Sequence, residues 1–231
     1  MNAPAPVSGI VFDCDGLLLE TESRWTIAEE IVCADNDAEF SMDLKRMMLG
    51  SSVPRAGVIL AEWCGRPVEE GPRFADELLV AFRRAVDEHG VDPLPGVPAL
   101  LSALAGRVPM AVASNNTEPE TRRTLSRSTL PDVFDAFRCA GGELAAKPEP
   151  DMYLAACAAL GVEPGEAVAF EDSVPGATAA MRAGMRVIGI PSTPGVVLTT
   201  PVVLTSMEEV DVDALLSGHL IGRPTGVPAR S

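Results

Sequence analysis

Four short polar clusters follow one another along this chain, each where an apolar run stops. They are Asp13-Cys14-Asp15-Gly16, Ser114-Asn115-Asn116, Lys147-Pro148 and Glu171-Asp172-Ser173. Carboxylates, a hydroxyl and an ammonium gathered at one place suit phosphoryl transfer. A carboxylate that attacks phosphorus needs a cation to offset charge repulsion, and a nearby acid to protonate the leaving oxygen. Asp13 is the natural nucleophile, and Asp15, two residues on, is placed to serve as general acid and base. Gly16 permits a tight turn after them, and the backbone carbonyl of Asp15 is placed to join Asp13 in a metal site. The Ser114 hydroxyl and the amides that follow it, beginning at Asn115, are suited to phosphate oxygens. Lys147 is one of two lysines, with Lys45, in a chain that otherwise uses arginine. Its ammonium would neutralise both phosphate and Asp13. Adjacent Glu171 and Asp172 would repel unless a cation lay between them, and all-oxygen ligation with room for water suits Mg²⁺.

Each cluster alone has a plainer explanation: a solvated turn for Asp13 to Gly16, a helix cap for Ser114, a surface lysine at 147, a capping pair at Glu171 and Asp172. Their joint order after apolar runs is what points to chemistry.

That order depends on strands. Apolar runs that end at polar turns read as buried parallel strands, and ligands of open α/β sheets sit at the carboxyl ends of such strands. Residues 8–13 read as the first strand, with later strands at 108–113, 136–140, 167–170, 186–190 and 202–205. Helices alternate with them at 97–105, 118–128, 151–160, 176–183 and 208–216, which predicts a Rossmann-like doubly wound parallel sheet, an α/β fold. Between the first strand and Pro93 the character changes. Residues 25–34, 55–64 and 74–88 have helical periodicity with no strand-like run, so an inserted helical cap over 21–92 is expected, with the core formed by 1–20 and 93–231. Pro93, Pro95, Gly96 and Pro98 mark the return, and the chain from about Ile221 reads as a flexible tail.

Composition narrows the partners. A net charge of -15 over 231 residues disfavours nucleic acid or an anionic membrane surface, both of which attract basic proteins. No apolar run is long enough to span a bilayer and no secretory signal is readable, so a cytoplasmic protein is expected, as a monomer or weak dimer. The five cysteines form no C-x-x-C pair, and none has an arginine six positions on, which removes zinc and thiol-phosphatase loops. Histidine occurs only at 89 and 219, far from the clusters.

The same motifs resemble the haloacid dehalogenase superfamily, in the branch with a helical cap inserted after the first motif, which includes sugar-phosphate phosphatases and β-phosphoglucomutase. The resemblance covers about residues 8–217. It implies that Asp13 forms an aspartyl-phosphate, Asp15 is the acid and base, and Ser114 and Lys147 bind the phosphate. It also implies that Asp172 ligates Mg²⁺ with Glu171 at or beside the metal. Aspartate at position 15 favours phosphate over haloacid substrates.

The cap departs from the mutase pattern. Trp25 stands where that pattern carries a histidine, and Ser51-Ser52-Val53 follows Gly50 in place of its Val-Ser-Arg, leaving Arg55 as a substitute only through a different loop. The run Thr21-Glu22-Ser23-Arg24-Trp25 is similar to the cap entrance of small phosphatases for sugar, hexitol or sugar-acid phosphates, although Trp25 is equally suited to the core of the first cap helix. The expectation is a phosphatase for small phosphorylated metabolites. A phosphosugar mutase is the alternative, followed by a metabolite-binding regulator without catalysis.

Overall fold

The computed structural model describes residues 5–141, 143–192 and 195–219. Six strands, β1 (Gly9–Phe12), β2 (Met110–Ser114), β3 (Ala136–Cys139), β4 (Ala167–Glu171), β5 (Arg186–Gly189) and β6 (Val202–Val203), form one parallel sheet in the order β3-β2-β1-β4-β5-β6. β1 and β4 are apolar almost throughout because helices cover both faces. Alternate side chains divide between two cores: Ile10, Phe12, Val112 and Phe170 on one face, Val11, Ala111, Ala169 and Val187 on the other. Helices α5 (Val97–Leu104) and α9 (Val212–Leu216) pack on the first face, α7 (Asp151–Leu160) and α8 (Val174–Arg182) on the second. Helix α6 (Glu118–Ser126) follows β2.

Register brings the clusters together. Phe12 of β1 pairs with Val112 of β2 and Phe170 of β4, so Asp13 comes level with Ala113 and Glu171. The order of strands reverses on either side of β1, the place where such sheets open a crevice.

Between β1 and α5 lie four helices, α1 (Glu22–Asp35), α2 (Met42–Met48), α3 (Val53–Trp63) and α4 (Gly71–His89). They bury a core of their own, including Val32, Leu44, Leu60, Phe74, Leu78 and Phe82. The chain leaves the sheet side and returns to it through paired backbone: Leu19 bridges Pro93, and the Glu20 amide donates to the Asp92 carbonyl at 2.9 Å. No helix among the described residues is long and apolar enough to cross a membrane.

The differences from expectation are local. Helix α2 had no counterpart in the periodicity because seven residues span too few turns, yet it carries its own start signal: the Ser41 hydroxyl accepts from the Leu44 amide. The last helix, expected over 208–216, divides. A single 3₁₀ turn at Met207–Glu209 precedes extended Val210, and α9 starts only where the Asp211 carboxylate accepts from the amides of Asp213 and Ala214. The final strand is two residues long, not four. The tail from Ile221 lies outside the described residues.

Helices α3 and α4 meet at glycines. A Cβ on Gly57 would overlap the Gly71 carbonyl oxygen and lie 2.7 Å from Ala75 Cβ. Gly57→Ala would gain up to about 1 kcal/mol of helix propensity. Overpacking, at about 1–3 kcal/mol, outweighs it. Urea denaturation should therefore show a lower midpoint for this variant, and a raised midpoint would contradict the close approach.

Candidate active site

The sheet delivers three carboxylates and one ammonium to a buried point. Lys147, in the loop after β3, places Nζ 2.5 Å from Asp13 Oδ1 and 2.6 Å from Glu171 Oε1. Its side chain is only 3% exposed, which removes the reading of a surface lysine. Glu171 Oε1 also accepts from the Tyr153 hydroxyl on α7, while Oε2 takes the Ser173 hydroxyl at 3.2 Å. Asp172 Oδ2 accepts from Ser192 at 2.7 Å. Atoms of Asp13, Glu171 and Asp172 lie within 4.8 Å of one another. Helix α8 is capped by Ser173, whose hydroxyl accepts from the Gly176 amide, so Glu171 and Asp172 are not a capping pair.

Two glycines make this convergence possible. Gly16 sits at φ +78, and a Cβ there would stand 2.5 Å from Asp172 Oδ2. A Cβ on Gly176 would overlap the Glu171 carboxylate.

The electrostatics are unbalanced. Burial, with the Glu171 charge added, pushes Asp13 up to about 7 against the opposing pull of Lys147. Burial and the charges of Asp13 and Glu171 push Asp172 well above the usual carboxylate range. Burial opposes charge on Lys147 as well, but Asp13 and Glu171 outweigh it and hold the ammonium protonated. One cation for three carboxylates leaves negative charge unmatched, and an oxygen-only donor set fits a hard divalent ion. Asp13 and Asp172 are the side chains with room for it, since both oxygens of Glu171 already have donors.

Asp15 and Ser114 stand beside this cluster. Ser114 Oγ donates to Asp15 Oδ2 at 3.4 Å and accepts from the Asn116 amide at 3.1 Å, so it shapes its own loop while Thr117 occupies the cap position of α6. Burial raises Asp15, and the Thr21 hydroxyl and Trp25 indole draw it back only in part. Asn115 joins three segments: its Oδ1 accepts from the Lys147 amide at 2.7 Å and its Nδ2 donates to the Gly50 carbonyl at 3.1 Å.

A cavity of about 230 Å³ opens from these strand ends to the four-helix unit. The strand-end side contributes Asp13, Asp15, Ser114, Asn115, Lys147 and Asp172. The four-helix unit contributes Glu22, Trp25, Glu29, Lys45 and Arg46, with the Trp25 indole reaching Asp15. Trp25 lines the cavity and stacks on Phe82 with ring centroids 3.7 Å apart. Thr21, also expected at the substrate, is fully buried and is not among the residues that line the cavity. Arg55 corrects the expectation: it is exposed on α3 and does not line the cavity, because the cavity side of that helix is taken by Val53 and Ala56.

Four residues escaped the sequence reading: Tyr153, Ser192, Glu29 and Lys45. A signal existed for some. Tyr153 is the chain's one tyrosine, six positions after Lys147, and Glu22, Trp25 and Glu29 recur at a spacing that shares one helix face. Ser192 had none.

A family model described as haloacid dehalogenase-like hydrolase matches residues 7–184. The chain belongs to this family. It is 32% identical over 197 residues to hexitol phosphatase B of Escherichia coli (strain K12), covering 83% of this chain and 87% of that protein. It is 30% identical over 183 residues to a fructose-1-phosphate phosphatase of the same organism, covering 79% and 96%. The solved β-phosphoglucomutase of Clostridium difficile superposes with a TM-score of 0.80 at 20% identity, covering 94% of this chain and all of that one, a likeness of fold.

The raised carboxyls give a sign to the pH response of metal-free protein. Asp13 ordinarily titrates near 3.8 and is pushed up to about 7, so the folded state keeps a proton that the unfolded chain has released. Its contribution is fully present below about 4 and is lost as pH rises through about 7. In excess chelator, Asp13→Asn should therefore gain thermal stability relative to wild type across that window. A difference in melting temperature that stays flat or reverses would contradict the assignment.

Proposed function

We propose that this hydrolase is a Mg²⁺-dependent phosphatase that releases phosphate from small sugar, polyol or sugar-acid monophosphates through an aspartyl-phosphate at Asp13. The buried pairing of Asp13 with Lys147, at the mouth of a cavity that the helical unit closes, carries this reading. Asp13 attacks phosphorus as the ester P–O bond breaks, and Asp15 gives its proton to the leaving alkoxide oxygen. Asp15 then takes a proton from the water that attacks the aspartyl-phosphate, which frees phosphate and restores both carboxyl groups. The raised position of Asp15 suits a group that must hold a proton in the first step. Lys147, the Ser114 hydroxyl and the Asn115 amide bind the non-bridging oxygens. Asp13, Asp172 and the Asp15 carbonyl would hold Mg²⁺, with Glu171 behind them fixing Lys147. Bound there, the ion offsets the charge that otherwise keeps carboxylate and phosphate apart.

The substrate class rests on the named activities of the relatives, a hexitol phosphatase and a fructose-1-phosphate phosphatase. We assign residues 21–92 as the cap that closes over the substrate. The mutase reading lacks support at two positions. Trp25 carries no titratable group, and Arg55 stands outside the cavity, so neither offers what a second phosphate would need. We further expect a cytoplasmic monomer or weak dimer, with neither nucleic acid nor membrane as partner.

Phosphate release from a panel of such monophosphates tests the reading. Asp13→Asn should abolish release, as should excess chelator on the wild type. Asp15→Asn should lower it by about 10²- to 10⁴-fold while retaining metal affinity. Full activity in chelator, or an equal loss of metal binding in Asp15→Asn, would contradict the roles given.

A further inference from the structure

We propose that Glu29 and Lys45 form a hydroxyl-reading end of the cavity. It selects monophosphates whose remote end is an uncharged polyol and turns away those ending in a carboxylate or a second phosphate. This inference rests on the phosphatase reading and narrows it by excluding sugar-acid phosphates.

The hydrogen-bond inventory at this end is lopsided. Lys45 Nζ donates to the Glu22 carbonyl at 3.4 Å and to Glu29 Oε1 at 3.2 Å, and lies 3.0 Å from Glu22 Oε2 as an ion pair. Glu29 Oε2 is buried without a hydrogen-bond partner among the described residues. The side chain is 4% exposed and lines the cavity, so the open valence there is an acceptor, and the group that fills it is a donor. A substrate hydroxyl supplies one.

Charge argues the same way. Glu22, Glu29 and Asp43 together exceed Lys45 and Arg46 by one negative charge, with Arg46 paired to Asp43 at 2.5 Å where both are exposed. The flanking walls are apolar, with Met48, Ala56 and Leu78, which weakens screening between the carboxylates and an anionic ligand. Burial also pushes the Glu29 carboxyl up to about 7, a position that a donating hydroxyl would lower.

The test compares sorbitol 6-phosphate with 6-phosphogluconate, which share a six-carbon chain and a terminal phosphate and differ at the remote end in hydroxymethyl against carboxylate. With Mg²⁺ at about pH 8, above the raised range of Glu29, the wild type should prefer sorbitol 6-phosphate in kcat/KM by about tenfold or more. In Glu29→Gln that preference should shrink by about tenfold. Both rates come from one sample, so an inactive fraction of the variant cancels, and the wild-type comparison needs no variant. Equal or faster hydrolysis of 6-phosphogluconate by the wild type would overturn the inference and leave the phosphatase reading standing. An unchanged ratio in Glu29→Gln would overturn the role of Glu29. Absence of phosphate release from both compounds and from phenyl phosphate would overturn the phosphatase reading beneath it.

Discussion

The Lys147 ammonium between Asp13 and Glu171 is the contact on which the rest of the site depends. Carboxylates removed from water are costly to keep charged, and each lies close enough to the next to raise the cost. Lys147 offsets part of that charge from inside the protein. Everything nearby serves to hold it or to finish the neutralisation. Tyr153 and Ser173 fix Glu171, Asn115 fixes the Lys147 backbone, and Ser192 fixes Asp172. The residual negative charge is what makes the site receptive to a metal ion and, through it, to phosphate. Removing Lys147 would leave uncompensated buried charge, the costly way to break such a pair.

The two halves of the cavity solve different problems. At the strand ends, backbone register sets the positions, and short side chains on a rigid sheet keep the reacting groups where chemistry needs them. At the helical end, positions depend on how α1 and α2 pack, and the groups are a lysine paired with two glutamates. The first half is built to accept an anion with the help of a cation. The second offers acceptors and an apolar wall, so it discriminates among the remote ends of otherwise similar monophosphates. Asn115 connects the halves through its hydrogen bond to the Gly50 carbonyl.

Legibility in the sequence follows the same division. Asp13, Ser114 and Glu171 could be found because a parallel strand announces itself as an apolar run and the residue that ends it has one place to go. Asp172 and Lys147 followed from the order of the clusters. The segment between β1 and α5 was readable as helical, but its contribution to the cavity was not. Glu29 and Lys45 are distant in sequence, lie on different helices and meet only once α1 and α2 have packed, and α2 is too short to show periodicity. Arg55 misled for a related reason: a nearby arginine in sequence says nothing of which face of α3 turns inward. Tyr153 and Ser192 act on carboxylates, not on substrate, and no motif marks such supporting partners.

The most direct test of the central claim is acid-quenched mass spectrometry of the protein during a single turnover of sorbitol 6-phosphate with Mg²⁺, followed by peptide mapping. The mass of one phosphoryl group should appear on the peptide containing Asp13, and it should be absent when chelator replaces Mg²⁺. Phosphate release with no label on that peptide, or label carried by Asp15 or Asp172 instead, would contradict Asp13 as the group that Lys147 and the surrounding carboxylates are arranged to serve.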